Sequence, residues 1–249
     1  MRSRYPSTSN FSSSFGPGPV TPAIKAIIIA NVAAFVVSQF VDVLRLRLGF
    51  VPQQVLTGFQ IWQPVTYMFL HGGIFHILFN MLALWMFGVE LERMWGSRFF
   101  TKFYFVCGIG AAVVQTIVSF LPVPALQQVY YAQTIGASGA IYGVLLAYAM
   151  YFPNRPIYMY FFFPVPAKYF VMIMGGISLM SSLQGTGGGI AHTTHLGGMV
   201  AGYLYLKGGR THLLSELKYR YLKWRINRMR RKFDVHPGGR ADGVNRRVH

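Results

Sequence analysis

With 53% of its 249 residues hydrophobic and only 12% charged, the chain has too little ionised surface for a soluble domain of this size, which excludes a water-soluble globule and places it in a membrane. The formal charge of +17 does not indicate nucleic-acid binding, because lysine and arginine lie at the chain ends and between apolar runs, where they anchor membrane spans. A single cysteine, Cys107, inside an apolar run excludes an intrachain disulfide and reads as an inert core residue.

Residues 1–20 are rich in Ser, Gly and Pro with almost nothing apolar to bury, the composition of a disordered tail. Order is expected to begin at Thr21-Pro22, an N-cap followed by proline at the first helical position. The apolar run from Ala23 to Val41, about 20 residues with no small-residue cleavage site after it, reads as a retained first span. From Asp42 to about His71 the pattern breaks, with Arg45, Arg47, Pro52 and Pro64 among bulky apolar residues, which predicts a first loop lying partly in the membrane. A second span runs from about Phe75 to Met94 and a third from about Phe99 to Leu121, followed by a charge-free loop with Pro122 and Pro124. The fourth, Ser138 to Phe152, measures only about 22 Å against a hydrocarbon core of about 30 Å. It is too short to cross alone, so either the preceding loop dips into the bilayer or water enters from that side. A fifth span from about Pro166 to Leu183, a glycine-rich loop from Gly185 to Gly189 and a sixth span from about Ala191 to Leu206 complete the run.

Arg2 and Arg4, then Arg93, Arg98 and Lys102, then Arg155 and Lys168, and finally the C-terminal tail fall on one side, while residues 122–135 and 184–191 carry no charge. Six spans with both termini cytoplasmic fit this distribution; Arg45 and Arg47 fall on the wrong side, offset only by Asp42. The expected organisation is a disordered tail (1–20), a six-helix membrane domain (21–208) and a basic cytoplasmic tail (209–249). In that tail Leu214, Leu217, Tyr221 and Trp224 set out an amphipathic helix over Leu213 to Phe233, suited to lie on anionic lipid. No internal repeat is visible, which disfavours a transporter built from inverted halves.

Ionisable and polar side chains within a membrane mark function by default. Four stand out: His76 and Asn80, four apart on one face of the second span, Ser138 at the mouth of the fourth, and His195 on the sixth. Ser138 lies in Gly136-Ala137-Ser138-Gly139-Ala140-Ile141-Tyr142-Gly143, where missing side chains expose the hydroxyl and the free helix N–H groups can face an anion. The same small residues also suit close helix packing, since Gly139, Gly143 and Ala147 recur every four residues, as do Gly198 and Gly202 on the His195 face. Counting about 1.5 Å per residue from the inner end of each span puts Ser138 about 22 Å above that end, His195 about 18 Å, and His76 and Asn80 about 26 and 20 Å, one layer in the outer half of the membrane. Ser138 and His195 supply a nucleophile and its base. No carboxylate falls at that depth to complete a triad, so the expectation is a Ser–His dyad held by packing, with Tyr142 the best candidate to stack on the imidazole. The Ser138 N–H, the His76 ring and the Asn80 amide are the available oxyanion donors.

The segment His71-Gly-Gly-Ile-Phe-His76-Ile-Leu-Phe-Asn80, then Gly136-Ala-Ser138-Gly139 with Tyr142 and Gly143, then His195-Leu-Gly-Gly198 with Gly202, resembles the rhomboid family of intramembrane serine proteases over about Pro22 to Lys207. The resemblance implies an all-α, six-transmembrane-helix rhomboid-like bundle with a partly membrane-embedded first loop. It also implies Ser138 as nucleophile, His195 as general base, His76 and Asn80 lining the oxyanion hole, Glu92 with Gly96-Ser97 as a structural feature, no cofactor, and transmembrane protein substrates that enter beside span five and are cut near their outer ends. One departure is Gln63 after Trp62, where the family usually carries Arg; this puts the first loop's hydrogen bonding in question. His71 is expected to be structural, about 140° round from His76 on a continuous helix. The rival readings are a metal site using His192 with His195 and His76, and a noncatalytic protein that only binds membrane helices. Size and the bare six-span plan suggest a bacterial inner membrane.

Overall fold

Apolar runs closed off by Pro, Gly and charge become the long helices of a computed structural model that describes residues 16–159, 163–184, 189–208, 223–226 and 228. The chain divides into two units, Met1–Leu206 and Lys207–His249, and the elements that carry the argument belong to the first. In order these are α1 (Pro22–Phe40), four short pieces comprising α2 (Asp42–Leu48), α3 (Pro52–Thr57), α4 (Gln63–Thr66) and a 3₁₀ turn (Tyr67–Phe69), then α5 (Ile74–Trp95) and α6 (Ser97–Val118). After α7 (Pro124–Gln127) and a second 3₁₀ turn (Gln128–Tyr130) come α8 (Ser138–Tyr151), strands β1 (Pro156–Met159) and β2 (Phe163–Pro166), α9 (Ala167–Gln184) and α10 (Gly189–Gly208). The expected disordered tail lies outside the described residues apart from 16–20, as does most of the amphipathic helix expected over Leu213 to Phe233 and of the loop Gly185 to Gly189.

Among the described residues, α1, α5 and α6 are each long and apolar enough to cross a membrane, and α8 is a shorter apolar helix. With 14 residues α8 is about 21 Å long. Large apolar side chains that face outward, such as Ile29 and Val36 on α1, Phe79 on α5 and Met172 on α9, fit a lipid-facing surface, while Tyr67, Tyr104, Phe100, Phe103 and Leu84 are fully buried.

Two details differ from the sequence expectations. The fold is not wholly helical, because β1 and β2 pair antiparallel in a hairpin from Pro156↔Pro166 to Met159↔Phe163. Prolines spread through this segment masked it, yet a two-stranded ribbon has a free edge on each strand, where a missing N–H costs nothing. Thr21 does occupy the N-cap position of α1, but its side chain makes no cap bond to the helix. Glu92 at the far end of α5 caps instead: its carboxylate accepts from Ala23 N at 2.8 Å and Ile24 N at 3.0 Å, from Ser97 Oγ at 2.6 Å and from the Thr21 hydroxyl. One buried carboxylate thereby joins α1, α5 and the start of α6, its charge held by four donors and the positive end of α1. Gly96, with φ +78°, makes the turn between α5 and α6.

The first loop is held by Gln63. This fully buried carboxamide accepts from Val51 N at 3.0 Å and donates to Gln54 Oε1 at 2.7 Å and Gln60 Oε1 at 2.9 Å. The residue that departs from the family pattern is thus itself the loop's hydrogen-bond hub.

Candidate active site

The backbone entering α8 is fixed from the first loop. Phe50 and Thr134 exchange backbone bonds at 2.9 and 2.8 Å, and Gly136 N donates to Tyr67 O at 2.9 Å. Gly136 has φ +124°, and a Cβ there would lie 2.8 Å from His76 Nε2, so conformation and space both require glycine. Ala137 turns the chain and Ser138 opens the helix, where first-turn N–H groups have no intrahelical acceptor.

On α10, His195 faces this point, and its Nε2 lies 2.8 Å from Ser138 Oγ. Glycines allow the approach. A Cβ on Gly198 would run into the carbonyl of Gly139, one on Gly143 would stand 2.9 Å from Gly198 O, and one on Gly202 would stand 3.2 Å from Gly143 Cα. α8 and α10 are therefore in backbone contact along Gly139, Gly143, Gly198 and Gly202, with Cys107 of α6 closing the third side. The packing and presentation readings of these residues are complementary, since close packing is what sets the hydroxyl beside the imidazole.

The Tyr142 ring stacks on that of His195, centroids 4.0 Å apart and planes 9° from parallel. His195 Nδ1 is buried and finds no acceptor among the described residues. His76 Nδ1 accepts from Gly72 N at 3.2 Å, which leaves the proton of the neutral ring on Nε2, the atom turned toward Gly136. Asn80 is placed differently: its Nδ2 donates to the His76 carbonyl at 2.7 Å, along its own helix, rather than to the serine and histidine. The structure thus gathers Ser138, His195, Tyr142, Gly136 and His76, with Asn80 one turn further along α5.

His71 was expected away from His76, yet its buried ring meets that of His76 edge to face at 5.0 Å. A separation of about 140° holds only on a helix continuous through both, and α5 begins only at Ile74. His192 stands edge to face with His195 at 5.6 Å, and among the described residues no group of three or more His, Cys, Asp or Glu gathers that could hold a metal.

Sequence reasoning missed a buried polar cluster beside the site. Gln115 of α6 donates to Thr134 Oγ1 at 2.9 Å and accepts from the Thr194 hydroxyl, so one carboxamide ties the segment leading to Gly136 to the residue before His195. A glutamine within the apolar run read as the third span was the available signal, since such a group is costly unless paired. Tyr67, whose carbonyl accepts from Gly136 N, donates its hydroxyl to Gly108 O at 2.7 Å and so anchors the first loop to α6.

Known proteins resemble the chain over this region. A family model described as the rhomboid domain matches residues 58–210. Similar proteins include the mitochondrial rhomboid protein 1 of Saccharomyces cerevisiae, 31% identical over 138 residues that cover 55% of this chain and 38% of that protein. Rhomboid protease GluP of Bacillus subtilis is 31% identical over 144 residues, 57% of this chain and 25% of the relative. Rhomboid protease AarA of Providencia stuartii is 30% identical over 163 residues, 61% and 57% respectively. The chain therefore spans between a quarter and somewhat over half of the length of these relatives.

Proposed function

The chain belongs to the rhomboid family, and from that premise we propose that it is an intramembrane serine endopeptidase cutting membrane-spanning proteins through an acyl-enzyme on Ser138. The observation that carries this reading is the 2.8 Å contact between Ser138 Oγ and His195 Nε2. In the proposed cycle the Nε2 lone pair takes the hydroxyl proton as Oγ attacks the scissile carbonyl carbon. The resulting oxyanion accepts hydrogen bonds from the Ser138 N–H, from His76 Nε2 and from the second N–H of the Asn80 amide. The imidazolium then passes its proton to the departing amine as the C–N bond breaks. Water, activated by the same histidine, attacks the acyl-enzyme and releases the new carboxylate and Ser138.

No carboxylate orients His195 in this scheme. Stacking on Tyr142 sets the ring plane, and the ring face also eases the transient positive charge. Gly136 keeps the space between His76 and Ser138 clear for the reacting carbonyl.

The membrane arrangement we infer has six spans, α1, α5, α6, α8, α9 and α10, with both termini cytoplasmic in a bacterial inner membrane. Lysine and arginine placement supports it, and the shortness of α8 supports a water-filled recess above Ser138. Lateral substrate entry beside α9, a basic tail that lies on anionic lipid, and the absence of a cofactor or nucleic-acid partner complete the reading.

The test is cleavage, in proteoliposomes, of a library of single-span reporter proteins. Products from the parent protein and none from Ser138→Ala are expected; products from both, or from neither when the parent is folded, would refute the proposal, the latter in favour of a helix-binding protein.

A further inference from the structure

A groove of about 960 Å³ runs between the start of α1 and the first three turns of α6, past Ala23, Arg98, Lys102, Phe105, Val106 and Ile109. Its basic end, at Arg98, follows the C-terminal end of α5, about 28 Å along that helix from His76 and so remote from Ser138. Arg98 and Lys102, four residues apart and exposed, stand on one face of α6, and Phe105, Val106 and Ile109 continue the lining as apolar wall.

Among the described residues the two cations have no counter-ion. Glu92, the nearest carboxylate in sequence, is buried and fully engaged by Thr21, Ala23, Ile24 and Ser97, and Glu90 pairs with Arg155. The remaining described acid, Asp42, follows α1 at its other end, about 28 Å away. Among the described residues neither Arg98 nor Lys102 forms an ion pair. A ligand for this place must therefore carry an anion at one end and an apolar body at the other, and be abundant in a membrane.

We propose that the groove binds an anionic glycerophospholipid, its phosphate against Arg98 and Lys102 and an acyl chain along Phe105, Val106 and Ile109. None of its lining residues belongs to the basic C-terminal tail, and the site does not depend on the protease reading. Each basic residue near a headgroup is worth about 5-fold in affinity, so the pair gives up to about 25-fold preference for an anionic over a zwitterionic lipid.

The full-length protein, reconstituted in phosphatidylcholine vesicles with a trace of phosphatidylglycerol carrying an acyl-chain diazirine, tests this after irradiation and peptide mapping. Labelling within residues 98–109 should exceed that from the matching phosphatidylcholine probe several-fold. Arg98→Gln with Lys102→Gln should reduce it to the phosphatidylcholine level while leaving labelling of residues 209–249 unchanged, and Arg98→Lys with Lys102→Arg should retain it. Equal labelling by the two probes in the parent protein, or an unaltered preference in the glutamine variant, would overturn the proposal.

Discussion

Replacing Gly198 by alanine adds one methyl group where α10 touches α8, and the contact geometry sets how much follows. The new Cβ would run into the carbonyl carbon and oxygen of Gly139, which are backbone atoms that no rotamer change can move. The helices must part by roughly 1 Å, and a misplacement of about that size costs on the order of 10²-fold in rate when reacting groups are held for attack. Because Ser138 immediately precedes Gly139 and His195 lies one turn before Gly198, the parting falls directly on the 2.8 Å contact between them. Overpacking of this kind also destabilises by about 1–3 kcal/mol. Gly176 on α9 is the control, since a Cβ there meets nothing within 4 Å. The assay is the rate of fluorophosphonate labelling in detergent, read beside thermal unfolding. Gly198→Ala should label about 100-fold more slowly while still unfolding cooperatively, and Gly176→Ala should label at the parent rate. A Gly198→Ala protein that labels like the parent would show that backbone contact between α8 and α10 does not set the geometry of the site.

Further predictions concern other contacts. Tyr142→Phe keeps the ring that stacks on His195 and should label at nearly the parent rate, whereas Tyr142→Ala should slow labelling by about 2- to 10-fold, the worth of one aromatic stack. Glu92→Gln turns an all-acceptor group into one with two donors facing the helix N–H groups, so thermal or denaturant unfolding should show a loss of about 2–4 kcal/mol, with the labelling rate per folded molecule unchanged. Gln115→Leu removes the carboxamide that bonds both Thr134 and Thr194; a loss of about 1–3 kcal/mol in unfolding together with slower labelling is expected, and normal labelling would mean that the cluster serves stability alone. Arg155→Gln removes an exposed ion pair with Glu90 and should change stability by less than about 1 kcal/mol.

Much of this was legible in the residues because the bilayer constrains a chain so strongly. The run Ala23 to Val41 became α1 (Pro22–Phe40), and Ser138 to Phe152 became α8 (Ser138–Tyr151), since a span must satisfy its own backbone and charge or proline marks where it ends. Tyr142 could be placed against His195 because a residue four after Ser138 lies one turn below it on the same face. What stayed hidden were contacts between distant segments. Nothing near Thr21 indicates that a carboxylate 71 residues later caps its helix, and nothing near Thr134 points to Gln115. His71 misled because its relation to His76 depends on where a helix starts, and the glycine pair Gly72-Gly73 delays that start. The hairpin after α8 was obscured by prolines that argue against strands in general but not at free edges.

The central claim, that His195 turns the Ser138 hydroxyl into a nucleophile without a carboxylate, is tested most directly by mapping covalent adducts after exposure to a fluorophosphonate. A single adduct on Ser138 is expected, lost in His195→Ala and formed more slowly, by no more than about 10²- to 10³-fold, in Asn80→Ala. A folded protein that gains no adduct, gains it on another residue, or is modified on Ser138 equally well without His195, would contradict the account.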